Sequence, residues 1–287
     1  DEMHLLQPST NIQLSRKSPD AFLKHTLRVL RNGYGFPSIF NADAVVQEQL
    51  RQGKTPEDAR AGGCSGCVEV GAFGKEAYIL TGYFNLVKVL EIALHNGVDP
   101  GTGKQIGLET GDPNGFESAD ELFEAFREQL HHFLQIKLRG NQLIEQMYAT
   151  LMPAPFLSVM IDDCIQKGRD YNDGGPRYNN TFIQMVGLGS ITDCLSSLKE
   201  VVFETETLSL GALVEVLEKN FEGHEALRQR LVNKTHRYGN DDDYADAVML
   251  RVFNACFEEV DGRPNSKGGR YCIEMLPTTC HVYFGSV

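Results

Sequence analysis

Apolar positions recur at helical spacing along much of the chain. Phe22, Leu23, Leu27, Val29 and Leu30 predict a helix over 21–30, ended by Gly33-Tyr34-Gly35-Phe36-Pro37. Further helices are predicted over 43–52 and 86–95. Thr55-Pro56-Glu57-Asp58 reads as an N-cap, a first-turn proline and first-turn acids. The longest pattern covers 118–150, where Leu122, Phe126, Leu130, Leu134, Ile136, Leu138, Leu143, Ile144 and Met147 are expected to face a core. Helices follow over 163–167, 191–202, 208–220, 222–231 and 245–260. Strands are expected over 156–161, 181–186, 271–275 and 281–284. Residues 1–40 read as a strand-poor entry segment, 62–71 as a Gly-rich extended run and 98–114 as a turn-rich excursion. Strands alternating with helices predict an α/β fold with a parallel sheet. No internal repeat or linker marks a boundary, so 1–287 reads as a single unit.

Composition narrows the classes. The chain has 287 residues, 41% hydrophobic and 23% charged, with 28 Gly and 11 Pro, which is globular and excludes collagen and coiled coil. The net charge of -12 leaves no basic surplus to neutralise phosphates, so neither nucleic acid nor an anionic membrane is an expected partner. No apolar run reaches the roughly eighteen residues of a membrane span. The N-terminus lacks the basic and apolar regions of a signal peptide. Seven scattered Cys fit reduced cytoplasmic thiols better than a disulfide framework.

The chain carries no G-x-S-x-G, H-E-x-x-H or G-x-G-x-x-G motif, and 97–104 has the wrong glycine spacing for a phosphate loop. The informative segment is Gly62-Gly63-Cys64-Ser65-Gly66-Cys67-Val68-Glu69-Val70-Gly71. Its C-x-x-C pair is not followed by a helix, as a redox pair would be, and no second ligand pair supports zinc. A buried Cys in a tight Gly turn is the ordinary alternative. In an extended segment Cys67 and Glu69 point to the same side, with Cβ atoms roughly 6–7 Å apart, so a small substrate fits beside both. A neighbouring carboxylate raises a thiol's pKa. A catalytic Cys67 therefore suits hydrogen-atom chemistry better than thiolate attack.

Gly66-Cys67-Val68-Glu69 resembles the cysteine loop of the glycyl radical enzymes. Gly35-Phe36-Pro37-Ser38-Ile39-Phe40-Asn41, Asp173-Gly174-Gly175-Pro176-Arg177-Tyr178-Asn179 and Tyr238-Gly239-Asn240-Asp241-Asp242 resemble segments of the same family. Gly66 before Cys67 argues against pyruvate formate-lyase activity, which vicinal cysteines mark. Val70-Gly71 departs from the G-C-V-E-P of diol dehydratases and choline trimethylamine-lyase. The run 64–83 and the ending Met275-Leu276-Pro277-Thr278-Thr279-Cys280-His281 are most similar to the family's hydroxyproline dehydratase branch.

The resemblance implies part of the family's α/β barrel, with surrounding helices and the cysteine finger loop. It implies a radical lyase that dehydrates trans-4-hydroxy-L-proline to a pyrroline carboxylate, with Cys67 as thiyl carrier and Glu69 as acid/base. Tyr83, Thr278 and Thr279 match substrate-binding positions. It implies no bound cofactor or metal, but a glycyl radical on a residue outside this chain, installed by a radical SAM activating enzyme. It also implies an anaerobic bacterial cytoplasm and is compatible with a homodimer. The family's R-V-x-G-Y radical loop and N-terminal part are not in the sequence, which therefore reads as an internal fragment. Another glycyl radical lyase (diol dehydratase, choline trimethylamine-lyase or aryl-acid decarboxylase type) and a non-catalytic fragment remain alternatives.

Other residues have simpler readings. Asp241-Asp242-Asp243 fits an acidic turn before a helix. His131 and His132 lie on the long amphipathic helix. Cys164, Cys194, Cys256, Cys272 and Cys280 fall in apolar stretches and are expected in the core. Arg177 could clamp a substrate carboxylate or form a structural ion pair.

Overall fold

The computed structural model describes residues 10–33, 37–65, 69–77, 79–276 and 280–285, the side chains at 79–81 and 281 excepted. The fold is mixed α/β. In chain order the elements begin β1 (Asn11–Leu14), α1 (Asp20–Leu30), β2 (Ser38–Asn41), α2 (Ala42–Arg51), α3 (Pro56–Ala61), β3 (Gly63–Cys64) and β4 (Val70–Gly71). Then come β5 (Ile79–Asn85), α4 (Leu86–Leu94), β6 (Val98–Asp99), β7 (Lys104–Gln105), α5 (Ala119–Leu151), α6 (Pro155–Met160) and α7 (Cys164–Lys167). The chain closes with β8 (Thr181–Val186), α8 (Leu188–Leu198), α9 (Leu210–Glu218), α10 (Glu225–Asn233), α11 (Asp243–Val260), β9 (Tyr271–Met275) and α12 (Cys280–Phe284).

The helix starts follow local chemistry. Asn41 caps α2 by accepting from the Asp43 and Ala44 N–H groups at 3.0 and 3.1 Å. Thr55 caps α3, with Pro56 in its first turn, as the sequence predicts. Asp242 caps α11, which gives the acidic run its structural role.

The chain divides into two compact units, each built from separate stretches. The first comprises Asp1–Leu80, Leu143–Phe182 and Pro264–Glu274. In it β1 pairs parallel with β2, so the entry segment holds two short strands where the sequence suggested few. Val45, Cys64 and Val70 form a small core against which Phe40 packs. The second unit comprises Thr81–Gln142, Ile183–Arg263 and Met275–Val287. Its core joins α8 with α11 and α4, and buries Leu122, Phe126, Leu130 and Leu134 of α5. The largest sheet has the order β5-β8-β9. Thr181 N–H donates to the Arg270 carbonyl, and Leu276 N–H to that of Met185, so β8 and β9 rise together as parallel strands. All six residues of β8 are buried, as suits an inner parallel strand.

Three expectations are corrected. Residues 156–161 do not form a strand: Pro155 starts helix α6, and Phe156 is 78% exposed. A short apolar run carries no period, and the proline at a first helical position decides the matter. Residues 281–284 likewise belong to helix α12. On α5, Ile136, Leu143, Ile144 and Met147 are exposed, so the apolar stripe is wider than the face that is covered.

Candidate active site

The Gly-rich run folds back on itself. After α3, β3 and β4 pair antiparallel, Gly63 opposite Gly71 and Cys64 opposite Val70. The Ser65 N–H donates to the Glu69 carbonyl at 2.8 Å, which closes the loop. The Ser65 hydroxyl donates to the Glu69 carboxylate, also at 2.8 Å. Cys67 lies between them in sequence, outside the described residues. A Cβ on Gly62 would collide with the Gly71 carbonyl oxygen and the Gln49 amide, and one on Gly63 with the Gln13 amide. Glycine is required at Gly62 by the approach of backbone, whereas at Gly63 the Gln13 side chain would have to move aside. Asn11 fixes one end of the loop by donating its amide to the Cys64 carbonyl at 3.3 Å and to that of Ser65.

The surroundings of the loop are acidic and dry. Glu69 is 4% exposed. Lys54 and Glu76, both buried, form an ion pair, and Glu76 accepts from the Ala72 N–H at 2.9 Å. Burial raises the pKa of Glu48, with Lys54 and Arg51 opposing. Burial, helped by Glu48, Glu69 and Glu274, pushes the Cys64 thiol up to about 11. Burial, helped by Glu69, Glu48 and Glu76, pushes Glu274 up to about 8. These surroundings keep the Cys64 thiol as S–H.

The strand leaving the loop is held by the Gly-Gly-Pro-Arg-Tyr segment. Ala77 N–H donates to the Tyr178 carbonyl at 2.9 Å, and Tyr178 N–H to that of Lys75 at 3.1 Å. Asp58, 2% exposed, accepts from the Tyr178 hydroxyl at 2.7 Å, from Arg177 at 3.2 Å and from Lys75. Arg177 also reaches Asp163 at 3.0 Å. Of its two sequence readings, Arg177 therefore shows the structural ion pair. Lys75 foremost, then Tyr178 and Arg177, hold the Asp58 carboxyl well below the usual range. Asp58→Ala should cost about 3–5 kcal/mol, because it strips a buried charge network of its acceptor. Urea unfolding checks this. The folded-state pKa of Asp58 is depressed, so its contribution is complete above the ordinary carboxylate range near ~4 and is lost as pH falls towards the depressed value. The gap between wild type and variant should narrow on acidification.

Of the three expected substrate-binding residues, one is described. Tyr83 lies on β5 in the second unit and is 47% exposed. Thr278 and Thr279 lie outside the described residues. His131 pairs with Glu259 at 2.8 Å. Cys164, Cys256 and Cys272 are buried as expected, but Cys194 is exposed on the wall of a cavity, and Cys280 is only partly covered. A cavity of about 950 Å³ in the second unit is lined by Leu90, His95, Cys194, Leu213 and Phe221 among others, and none of the expected site residues lines it. Among the described residues no group of three or more His, Cys, Asp or Glu side chains is placed to hold a metal ion. Sequence reasoning does not single out Glu274. The available signal is one carboxyl inside the otherwise apolar strand Tyr271–Met275.

A family model for pyruvate formate lyase-like proteins matches residues 1–285. The chain belongs to the pyruvate formate lyase-like family. It is 54% identical to trans-4-hydroxy-L-proline dehydratase of Clostridioides difficile, a match covering 100% of this chain and 36% of that protein. The crystal structure of hydroxyproline dehydratase from the same organism, with trans-4-hydroxy-L-proline bound, superposes with a TM-score of 0.94 at 55% identity. That match covers 99% of this chain and 36% of the other. A glycyl radical enzyme from Archaeoglobus fulgidus matches with a TM-score of 0.86 at 32% identity, over 99% of this chain and 36% of its own. The chain thus spans about a third of the length of the pyruvate formate lyase-like relatives it matches. It shares their fold over that third.

Proposed function

We propose that the intact protein is a glycyl radical lyase that removes water from trans-4-hydroxy-L-proline to give a pyrroline carboxylate. The observation that carries this reading is the likeness, over 99% of the chain, to a hydroxyproline dehydratase with that substrate bound. The buried acidic loop supports it. A radical stored on a glycine of the intact protein, installed by a radical SAM activating enzyme in an anaerobic cytoplasm, supplies the one-electron chemistry.

Cys67 takes a hydrogen atom from the ring carbon beside the substrate nitrogen, so that a C–H bond breaks and an S–H bond forms. The adjacent nitrogen delocalises the unpaired electron. Glu69 passes a proton to the 4-hydroxyl, and the C–O bond breaks with loss of water. The ring nitrogen gives up one proton as the ring C=N bond forms, which restores the acid. Cys67 then returns its hydrogen atom to the carbon that lost the hydroxyl. The net change is one water lost and no redox change. Glu69 suits the acid/base role because it is buried and the Ser65 hydroxyl orients its carboxyl group. Tyr83, Thr278 and Thr279 are assigned to substrate binding, the two threonines to its carboxylate through hydroxyl and backbone N–H donors.

The radical-activated intact protein should turn over trans-4-hydroxy-L-proline, with the product seen by mass spectrometry as loss of one water. Glycerol and 1,2-propanediol should be inert. Turnover of a diol with none of hydroxyproline would overturn the assignment.

A further inference from the structure

The cavity in the second unit lies among α4, α8, α9 and α10. Its volume, about 950 Å³, falls within the range of about 300–1,000 Å³ in which proteins enclose small molecules. Leu90, Leu94, Leu198, Leu213 and Phe221 give it an apolar lining. Phe221 reaches the cavity at a cost. Asn220 and Phe221, just past the end of α9, both hold left-handed backbone, with φ of 48° and 59°. A helix commonly ends on glycine in this conformation, because a side chain there is strained. The Phe221 N–H donates to the Val216 carbonyl at 2.9 Å, which fixes the turn. Strain of this kind gathers where a side chain has to be presented to a ligand.

Every charged side chain that lines the cavity is already matched. Lys88 pairs with Glu91 at 2.7 Å and with Asp99 at 2.8 Å, His95 meets Glu218 at 3.2 Å, and Arg237 pairs with Asp193 at 2.6 Å. A charged occupant would have to break one of these pairs or give up its own water uncompensated. An uncharged, mostly apolar occupant meets neither cost. Two polar groups stay unengaged. The Ser190 hydroxyl and the Cys194 thiol line the cavity one turn apart on α8, and neither is hydrogen-bonded to another described residue.

We propose that this cavity binds an uncharged, mainly apolar small molecule that places one hydroxyl or carbonyl oxygen against Ser190 and Cys194. The hydroxyl and the thiol donate to that oxygen, and the leucines and Phe221 cover the apolar part. None of these residues belongs to the loop at 62–71, and none has a part in the hydroxyproline reaction.

N-phenyl-1-naphthylamine, which is uncharged and fluoresces in apolar surroundings, serves as the probe. Added to the intact protein, it should light up at a saturable site and be displaced by 1-decanol. Decanoate and decylammonium match the chain length but carry a charge, and should displace it at least about tenfold less well. Cys194→Phe and Leu217→Trp each fill the cavity from an exposed position. Both should weaken the probe at least about tenfold and leave hydroxyproline turnover unchanged. Phe156→Ser, at an exposed apolar position in the first unit, should bind the probe as wild type does. Ser190→Ala combined with Cys194→Ala should weaken 1-decanol about threefold relative to the probe, which has no oxygen. No saturable binding to the intact protein overturns the proposal, because another part of the chain then fills the cavity. Binding that survives both filling variants also overturns it, since the probe then sits on exposed apolar surface. Decanoate displacing as well as 1-decanol overturns the uncharged class, and an unmoved 1-decanol affinity in the double variant overturns the contact with Ser190 and Cys194.

Discussion

Cys67→Ser abolishes turnover of the intact, radical-activated protein, by at least about 10⁴-fold, equivalent to more than ~5 kcal/mol of barrier. The substitution keeps the size and the hydrogen-bonding capacity of the side chain, so loss of shape cannot explain the effect. What it removes is an S–H bond weak enough to be made and broken by carbon radicals, since an alcohol O–H bond is far stronger. Cys67→Ala behaves the same way. Cys64 is the internal control. It stands three positions away, is buried in a small apolar core with Val45 and Val70, and its pKa is pushed up to about 11. Cys64→Ala costs about 1 kcal/mol of stability, through a small cavity, and leaves turnover near wild type. Product formation by mass spectrometry gives the rates. A surviving rate in Cys67→Ser removes the radical reading altogether.

Glu69→Gln has the second largest effect. The amide keeps the length of the side chain and can still bond to the Ser65 hydroxyl, which donates to the carboxylate at 2.8 Å. It cannot deliver a proton to a departing hydroxyl. General acid catalysis contributes about 10²–10⁴-fold, so kcat falls by that much. Affinity for substrate changes little, because the missing contact is made in the transition state. Steady-state kinetics at neutral pH separate the two parameters. Equal losses in kcat and in affinity would make Glu69 a binding group instead of an acid.

The local chemistry of the helices was legible because it is written in neighbouring residues. Thr55-Pro56 caps and opens α3 as read, and the long α5 spans Ala119–Leu151 against an expected 118–150. The extended run was legible for the same reason: its glycines stand within ten positions, and β3 and β4 pair as a hairpin with Glu69 buried. The failures share a cause. Residues 156–161 and 281–284 are apolar runs too short to show a period, and each became helical. Exposure of Leu143 and Ile144 depends on what packs over α5, which spacing alone does not encode. The raised pKa of Glu274, about 8, was illegible because its main cause is burial, which only folding supplies.

At Gly62 a single added carbon would strike the Gly71 carbonyl oxygen across the hairpin. The two feet of the hairpin are in effect welded together at this point. Redesign of this segment has no freedom at Gly62, because variation there breaks the mount before it alters anything the hairpin carries.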